Sequence, residues 1–406
     1  DKHCRRKVLA ASVKASYVNS RARLGTYGEL LNLKLVSDQV DGEWYAQLPR
    51  HFLAQDPFQK LFSEAWELVR SGGGEGIEEE DVEFWRLRPE FRERQTDLYS
   101  QLYDAVLRLA MDEEADVSLV ALPEALKIRV ISKGPALTYF VLKPIQKFLH
   151  KIMRKQRMFA LIGETVTSKF LDEVLLGHPG LFHSLDYSSA TDFLNPEISS
   201  VIVEEICDVC GFPDTIRSLF HKALTGHKID GELQVWGQLM GSVVSFIVLC
   251  IANAAVIRSA FELCMGVEAS LETVPAVVNG DDGAVRAPAE FLPIWKDIAA
   301  VSGLEPSVGK VYSHATYLNI NSTSFTLQGD HLRLVPYVNL GLVMGMTRSG
   351  GSKKSVEEVS DATDRFGSLG SRHYQLMESC PESLRLPVHK LFVNHHWDLL
   401  KSVRLP

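Results

Sequence analysis

Two carboxylates stand side by side in Val277–Val285, which reads Val-Val-Asn-Gly-Asp-Asp-Gly-Ala-Val. Branched apolar residues on either side suit short strands. Asn279, Gly280 and Gly283 tolerate the backbone of a tight turn, so the segment reads as a β-hairpin with Asp281 and Asp282 at its tip. Adjacent anionic groups repel each other, and a divalent cation with oxygen ligands relieves that repulsion. An ordinary solvated turn uses the same residue types, so the pair gains chemical meaning only from partners elsewhere in the chain.

Leu181–Asp192, Leu-Phe-His-Ser-Leu-Asp-Tyr-Ser-Ser-Ala-Thr-Asp, reads as a buried strand ending at Asp186 and followed by a turn of small residues. A carboxylate at a strand end, where the backbone bends away, is well placed to hold a metal. Asp192 reads either as a site residue or as a local turn or cap. Lys127–Lys133 alternates basic or polar with apolar residues, as a strand does, so positions 127, 129, 131 and 133 share a face. Lys127, Arg129 and Lys133 on that face make a poor core and a good anion surface. Lys310 stands between Gly309 and Val311. Cys207 and Cys210 form a Cys-x-x-Cys without a second pair at ligand spacing, which favours two small helix positions over zinc. His395-His396 reads as surface or packing.

The elements that must hold these groups follow from periodicity and caps. Pro144 is expected as the first residue of a helix. Lys147, Lys151 and either Arg154 or Lys155 would line one side of it, with Ile145, Phe148, Leu149 and Ile152 on the other. Asn195 caps a helix that begins with Pro196 and is closed by Gly211. Leu239–Ile257 carries no charge and is long enough to span a bilayer. Gly241, Ser242, Ser245 and Asn253 interrupt it, so a buried helix is expected, preceded by a Gly237–Ser242 turn whose glycines let backbone approach a ligand. A helix over Ala289–Val301 and strands over Tyr317–Phe325 and Phe325–Val335 come next, with a turn at Gly329-Asp330. The pattern from Ser355 onward is mostly helical. Nearer the start, Phe58–Arg70 and Glu90–Met111 read as helical, and the basic Lys2–Arg23 reads as a solvated helix face or an RNA-contacting arm.

The 406 residues are enough for a large core and two or three subdomains. Hydrophobic content of 46% and charged content of 23% are ordinary for a soluble globular protein. Scattered cysteines fit a reducing compartment better than a disulfide framework. The first residue is Asp1, as expected of a fragment or processed product. The net charge of −8 is unevenly spread: Glu75–Glu83 is acidic without a base, whereas Lys127–Arg157 is basic without an acid. An anionic partner can meet the second stretch although the whole chain is acidic.

The order of the pieces carries a resemblance. A basic strand precedes Asp-x5-Asp at a strand end. Gly-x-x-x-Gly-Ser with a buried helix comes next, then a Gly-Asp-Asp hairpin, then a lone Lys before strands. Residues 120–345 resemble viral RNA-dependent RNA polymerases of the narnavirus and ourmia-like (botourmiavirus) branch, related to mitovirus and levivirus replicases. The wording is similar in Ser132–Leu137, Leu142-Lys143-Pro144, Ser184–Asp192, Val278–Gly283 and Asn319–Ser322. The resemblance implies an α+β right-hand fold, with fingers over residues 1–175, a palm over 176–325 holding a fingers insertion near 195–235, and a mostly helical thumb over 326–406. It implies Asp186 and Asp281 as carboxylates for two Mg²⁺ or Mn²⁺ ions, with Asp282 as a secondary ligand. Lys127, Arg129 and Lys133 would face the incoming triphosphate, and Lys310 would be the general acid for pyrophosphate. Asn319–Ser324 would support the primer end. Asp192 would read the 2′-hydroxyl, with Gly241, Ser242 and Ser245 lining its pocket. The family's Asn in the following helix is Leu249 here, and Asn253 lies about one turn later, which leaves Ser245 as the nearer partner of Asp192.

The implied partners are a single-stranded RNA template, nascent RNA and rNTPs. Neither an obligate protein partner nor a membrane span is expected, and the implied place is the host-cell cytoplasm, with the mitochondrion as the other compartment. A reverse transcriptase would share the palm but carry an aromatic gate at Asp192. A catalytically idle RNA-binding relic would not need Asp186, Asp281, Arg129 and Lys310 intact. A membrane-anchored protein would use Leu239–Ile257.

Overall fold

The computed structural model describes residues 103–104, 106–124, 127–344 and 362–402. Expectations for the first hundred residues, and the side chain of Lys127, lie outside the described residues. The chain passes through β1 (Asp116–Glu124), β2 (Lys127–Lys133) and α1 (Ala136–Met153), then β3 (Leu181–Leu185) and β4 (Tyr187–Ser188). Helices α2 (Pro196–Cys210) and α3 (Asp214–Leu224), the short strands β5 (Lys228–Ile229) and β6 (Glu232–Leu233), and α4 (Ser245–Met265) follow. Next come β7 (Ala276–Asn279), β8 (Asp282–Ala287), α5 (Phe291–Val301), β9 (Glu305–Pro306) and β10 (Tyr312–His314). The path ends with β11 (Tyr317–Ile320), β12 (Thr323–Gln328), β13 (His331–Leu334), α6 (Ala362–Ser379) and α7 (Arg385–His395), among shorter turns of helix.

Two compact units emerge. One combines Asp1–Leu119, Ser132–Lys155 and Ser189–Ala252, and the other Val120–Ile131, Gln156–Ser188 and Asn253–Pro406. The second is built on an antiparallel sheet in the order β10-β3-β8-β7. One face packs Phe182, Val277 and Ala284 against Leu171, Val174 and Leu175 and against the three-stranded sheet β11-β12-β13 through Leu318, Phe325 and Leu332. On the other face His183 meets Phe291 and Tyr187 meets Trp295, both from α5. The two-residue alternation of β3 explains this division, because Phe182 and His183 must point to opposite faces.

Three elements differ from the expected ones. Helix α1 starts at Ala136, and Pro144 sits inside it. Its first turn is satisfied from a distance: Leu137 and Thr138 N–H donate to the Glu113 carboxylate at 3.0 and 2.7 Å, an acceptor invisible to a local cap rule. Strand Tyr317–Phe325 is two strands, because Asn321 and Ser322 both take positive φ, 50° and 56°, which makes the tight turn between β11 and β12. The apolar helix begins at Ser245 and runs on to Met265. Among the described residues it alone is long and apolar enough to cross a membrane, and 61% of its most apolar window is buried in the fold. The caps at Asn195 and Gly211 are found as expected, Asn195 accepting from Glu197 N–H and Gly211 taking φ 62°. Cys207 and Cys210 are positions within α2, and among the described residues no His, Cys, Asp and Glu side chains form a group of three that could hold a metal ion.

Candidate active site

Strand register gathers the carboxylates. In the β7–β8 hairpin Asn279 pairs with Asp282, and Gly280, at φ 71°, turns the chain so that Asp281 sits at the tip. β3 pairs with β8 in the register Leu185↔Gly283. One step further along antiparallel strands brings Asp186 beside Asp282. Gly283 packs closely here: an added Cβ would come 3.0 Å from Ile257 Cδ1, which would have to shift by a few tenths of an ångström. The expected hairpin and strand end are thus both present, and the sheet joins them.

Lys310 arrives on a turn that Asp186 itself anchors. Ser307 N–H donates to Asp186 O at 2.9 Å, and Tyr187 pairs with Pro306. Lys310 Nζ then donates to Asp186 Oδ2 at 2.9 Å. Asp186, Asp282, Lys310, Tyr312, Tyr317 and Asn319 line a pocket of about 260 Å³. The Asn319–Ser324 segment docks on the same edge: Asn319 N–H donates to Ser184 Oγ at 2.9 Å, and Asn279 Nδ2 donates to Asn321 Oδ1 at 3.0 Å.

Electrostatics mark this cluster as one that lacks positive charge. Burial pushes the Asp281 carboxyl upward, the Asp186 charge adds to that, and Lys310 and Arg129 oppose it. Burial, then the Asp281 and Asp186 charges, push Asp282 up to about 7. Lys310 is held protonated, chiefly by its hydrogen bond to Asp186. Asp186 Oδ1 is buried and has no hydrogen-bond partner. An orphaned buried carboxylate oxygen beside two crowded carboxylates suits a hard divalent cation. Such an ion usually takes one or two carboxylates and completes its shell with water and substrate phosphates, so a ready-made cage of three side chains is not required.

The other expected residues lie in the first unit, apart from Lys127 and Arg129 on β2. Arg129 and Lys133 are half-buried, whereas Ile128 and Val130, on either side of Arg129, are exposed. Asp192 is exposed, at the end of a turn closed by Asp192 N–H donating to Ser189 O. The Gly237–Ser242 turn packs on that segment: Gln238 N–H donates to Thr191 O at 2.7 Å, and a Cβ on Gly237 would meet Asp192 O at 2.4 Å. Gly241 has φ 124°, and its Cβ would meet Ser132 O at 2.2 Å, while Ser132 Oγ donates to Met240 O at 3.0 Å. Asp192, the glycine turn and the end of β2 are therefore one assembly. The Ser242 hydroxyl donates to Ala223 O, and Ser245 is buried.

Sequence reasoning missed Asn253 and Tyr187. Asn253 is fully buried. Its Nδ2 donates to Gly280 O at 3.0 Å and Asp282 O at 3.4 Å, and its Oδ1 accepts from Tyr187 O–H at 3.0 Å. Each such bond nets about 1 kcal/mol, whereas each buried carbonyl left bare costs about 1–3 kcal/mol, so the unpaired groups dominate any loss. The signal was a polar side chain within an apolar helix, which must find partners. Asn253 is thus committed to the hairpin.

The raised Asp282 gives a pH prediction. Between its ordinary value near 4 and about 7 the folded chain holds a proton that the unfolded chain has released. That stabilisation is fully present below about pH 4 and is lost as pH rises through about 7. After allowance for screening of its solvent-facing part it amounts to about 1–2 kcal/mol. Thermal melts in chelator at pH about 5.5 and 8 should show a stability drop that Asp282→Asn reduces by about 2 °C. Equal drops in both proteins would remove Asp282 from the cause.

No family model matches the chain. Over 282 residues, 63% of the chain, it is 32% identical to the RNA-dependent RNA polymerase of Ourmia melon virus, and it spans about a third (33%) of that protein's length. It is also similar to the crystal structure of the RNA-dependent RNA polymerase of a human picorbirnavirus, at TM-score 0.53 and 13% identity over 70% of this chain and 56% of that one. The insertion-loop deletion mutant of the same polymerase gives TM-score 0.53 and 14% identity over 71% and 59%. These likenesses show the fold: a mixed α and β right hand whose central antiparallel sheet carries Asp186, Asp281 and Asp282.

Proposed function

We propose that this chain is the RNA-synthesising core of an ourmia-like viral RNA-dependent RNA polymerase that copies a positive-strand RNA genome. The observation that carries this is the meeting of Asp186, Asp282 and Lys310 in one pocket beside Asp281, at the ends of β3 and the β7–β8 hairpin. The 32% identity to the Ourmia melon virus polymerase supports it.

The reaction joins the 3′-oxygen of the growing strand to the α-phosphorus of an rNTP and releases pyrophosphate. Asp186 and Asp281, with Asp282 as an auxiliary ligand, would hold two divalent ions, Mg²⁺ or Mn²⁺, which when bound lower the pKa of the 3′-hydroxyl and neutralise the triphosphate. Arg129 and Lys133 offset triphosphate charge, and Lys127 is assigned with them. Lys310, held protonated by Asp186, would donate a proton to the departing pyrophosphate. Asn319–Ser324 supports the primer end. Asp192, with Ser245 and the Gly241-Ser242 backbone, is assigned to reading the 2′-hydroxyl. The proposed fingers, palm and thumb are residues 1–175, 176–325 and 326–406, and the proposed place of work is the host cytoplasm, on RNA and rNTPs.

The test is RNA synthesis by the purified chain on a single-stranded RNA template with Mg²⁺ or Mn²⁺, comparing rNTPs with dNTPs. Template-dependent product from rNTPs, at least about 10²-fold preferred, is expected, with Asp192→Ala lowering that preference. Preference for dNTPs would turn the reading into a reverse transcriptase.

A further inference from the structure

Asn253 touches the carbonyls of the two residues that flank Asp281. Its single amide nitrogen donates to Gly280 O and to Asp282 O, so it holds the Gly280–Asp281 peptide, which leads directly into Asp281, and the Asp282–Gly283 peptide just beyond it. Asp281 is therefore held between two anchored peptides of the hairpin. The amide oxygen is held from the opposite side by Tyr187, the residue next to Asp186. Tyr187 is itself buried, 3% exposed, with its ring 5.2 Å from that of Trp295. Its hydroxyl is the donor to the Asn253 amide oxygen, at 3.0 Å. This donor dictates which end of the Asn253 amide faces the hairpin. One buried side chain therefore ties the backbone beside Asp186 to the backbone around Asp281.

We propose that Asn253, oriented by Tyr187, is a positioning residue that sets the placement of Asp281 relative to Asp186 and through it the affinity of the site for divalent cations. The inference rests on the reading of those two aspartates as the metal-binding pair. Neither residue is part of the pocket lining, so their effect passes through the hairpin. An outer partner of this kind typically changes metal affinity 10–100-fold when removed. The alternative is that the clamp serves stability alone, and a change confined to folding would leave cation affinity untouched in the folded variant.

The experiment titrates Mn²⁺ into the purified chain and follows free ion by electron paramagnetic resonance, with circular dichroism verifying the fold. Asn253→Leu keeps the branched outline of the side chain, at a larger volume, and removes all three hydrogen bonds. Tyr187→Phe keeps the ring and removes only the donor that orients the amide. The expected half-saturation rises about ten-fold or more for Asn253→Leu and about three-fold for Tyr187→Phe. The KM for rNTP at saturating Mn²⁺ should stay within about two-fold, because uniform substrate binding is not involved. If Asn253→Leu does not fold, Tyr187→Phe decides alone. Wild-type binding that either folded variant matches overturns the inference and leaves the site reading standing. A wild-type chain that binds no Mn²⁺ overturns the site reading and the inference with it.

Discussion

Replacing Asp281 with Asn should lower RNA synthesis by about 10³-fold or more while the protein stays at least as stable as before. The size follows from what a bound cation contributes: loss of about 4 kcal/mol of transition-state charge stabilisation is three decades in rate. The stability claim follows from the folded site itself. Burial and Asp186 already disfavour a charge at Asp281, so a neutral amide of the same shape relieves repulsion. Activity and stability therefore move in opposite directions. Asp186→Asn should lose as much activity but not gain stability, since it gives up the 2.9 Å ion pair with Lys310. That lysine is 64% exposed, so the pair is worth only about 0–1 kcal/mol, and the contrast will be small but of definite sign. Product formation at the wild-type rate by Asp281→Asn would sink the site assignment. Lost activity together with a large drop in melting temperature would assign Asp281 a structural role instead.

Lys310→Met should lower kcat about 10²-fold, in the range expected for loss of a general acid. Cation affinity should behave oppositely. Lys310 Nζ occupies Asp186 Oδ2, so its removal takes a competing cation away from the carboxylates. Mn²⁺ should bind the variant at least as tightly as it binds the parent, and Asp282, which Lys310 helps to keep ionised, should rise further in pKa. The decisive comparison is single-turnover rate against Mn²⁺ half-saturation. A fall in rate matched by a fall in cation affinity would make Lys310 a prop of the metal site and not a proton donor. The pH profile adds a second reading, because the acid limb set by Asp282 persists in Lys310→Met whereas any alkaline limb set by Lys310 disappears.

Most of the proposed site was legible from short stretches. Asn279–Gly283 announced its hairpin through turn residues, and Leu181–Asp186 announced a strand end through its apolar run. Asn195, Pro196 and Gly211 marked both ends of α2. Such signals are readable because the interactions behind them lie within a few residues. The exceptions had physical reasons. Pro144 looked like a helix start because the true start at Ala136 depends on Glu113, which lies outside that helix. Asn321-Ser322 hid a turn because Ser is an uncommon residue at positive φ.

The sequence by itself determined which residues carry charge, where strands and helices break, and in what order the chemical groups follow one another. Those are local properties, set by side-chain type and backbone preference. Tertiary structure alone decided that Leu185 pairs with Gly283 and so brings Asp186 beside Asp282. It also decided that Lys310 pairs with Asp186, and that Asn253 hydrogen-bonds the hairpin. Each of these joins groups far apart along the chain. Such contacts depend on register and on the packing of α4 against the sheet, where burial of apolar surface outweighs local preference and a buried amide must take whichever partners the packed core presents.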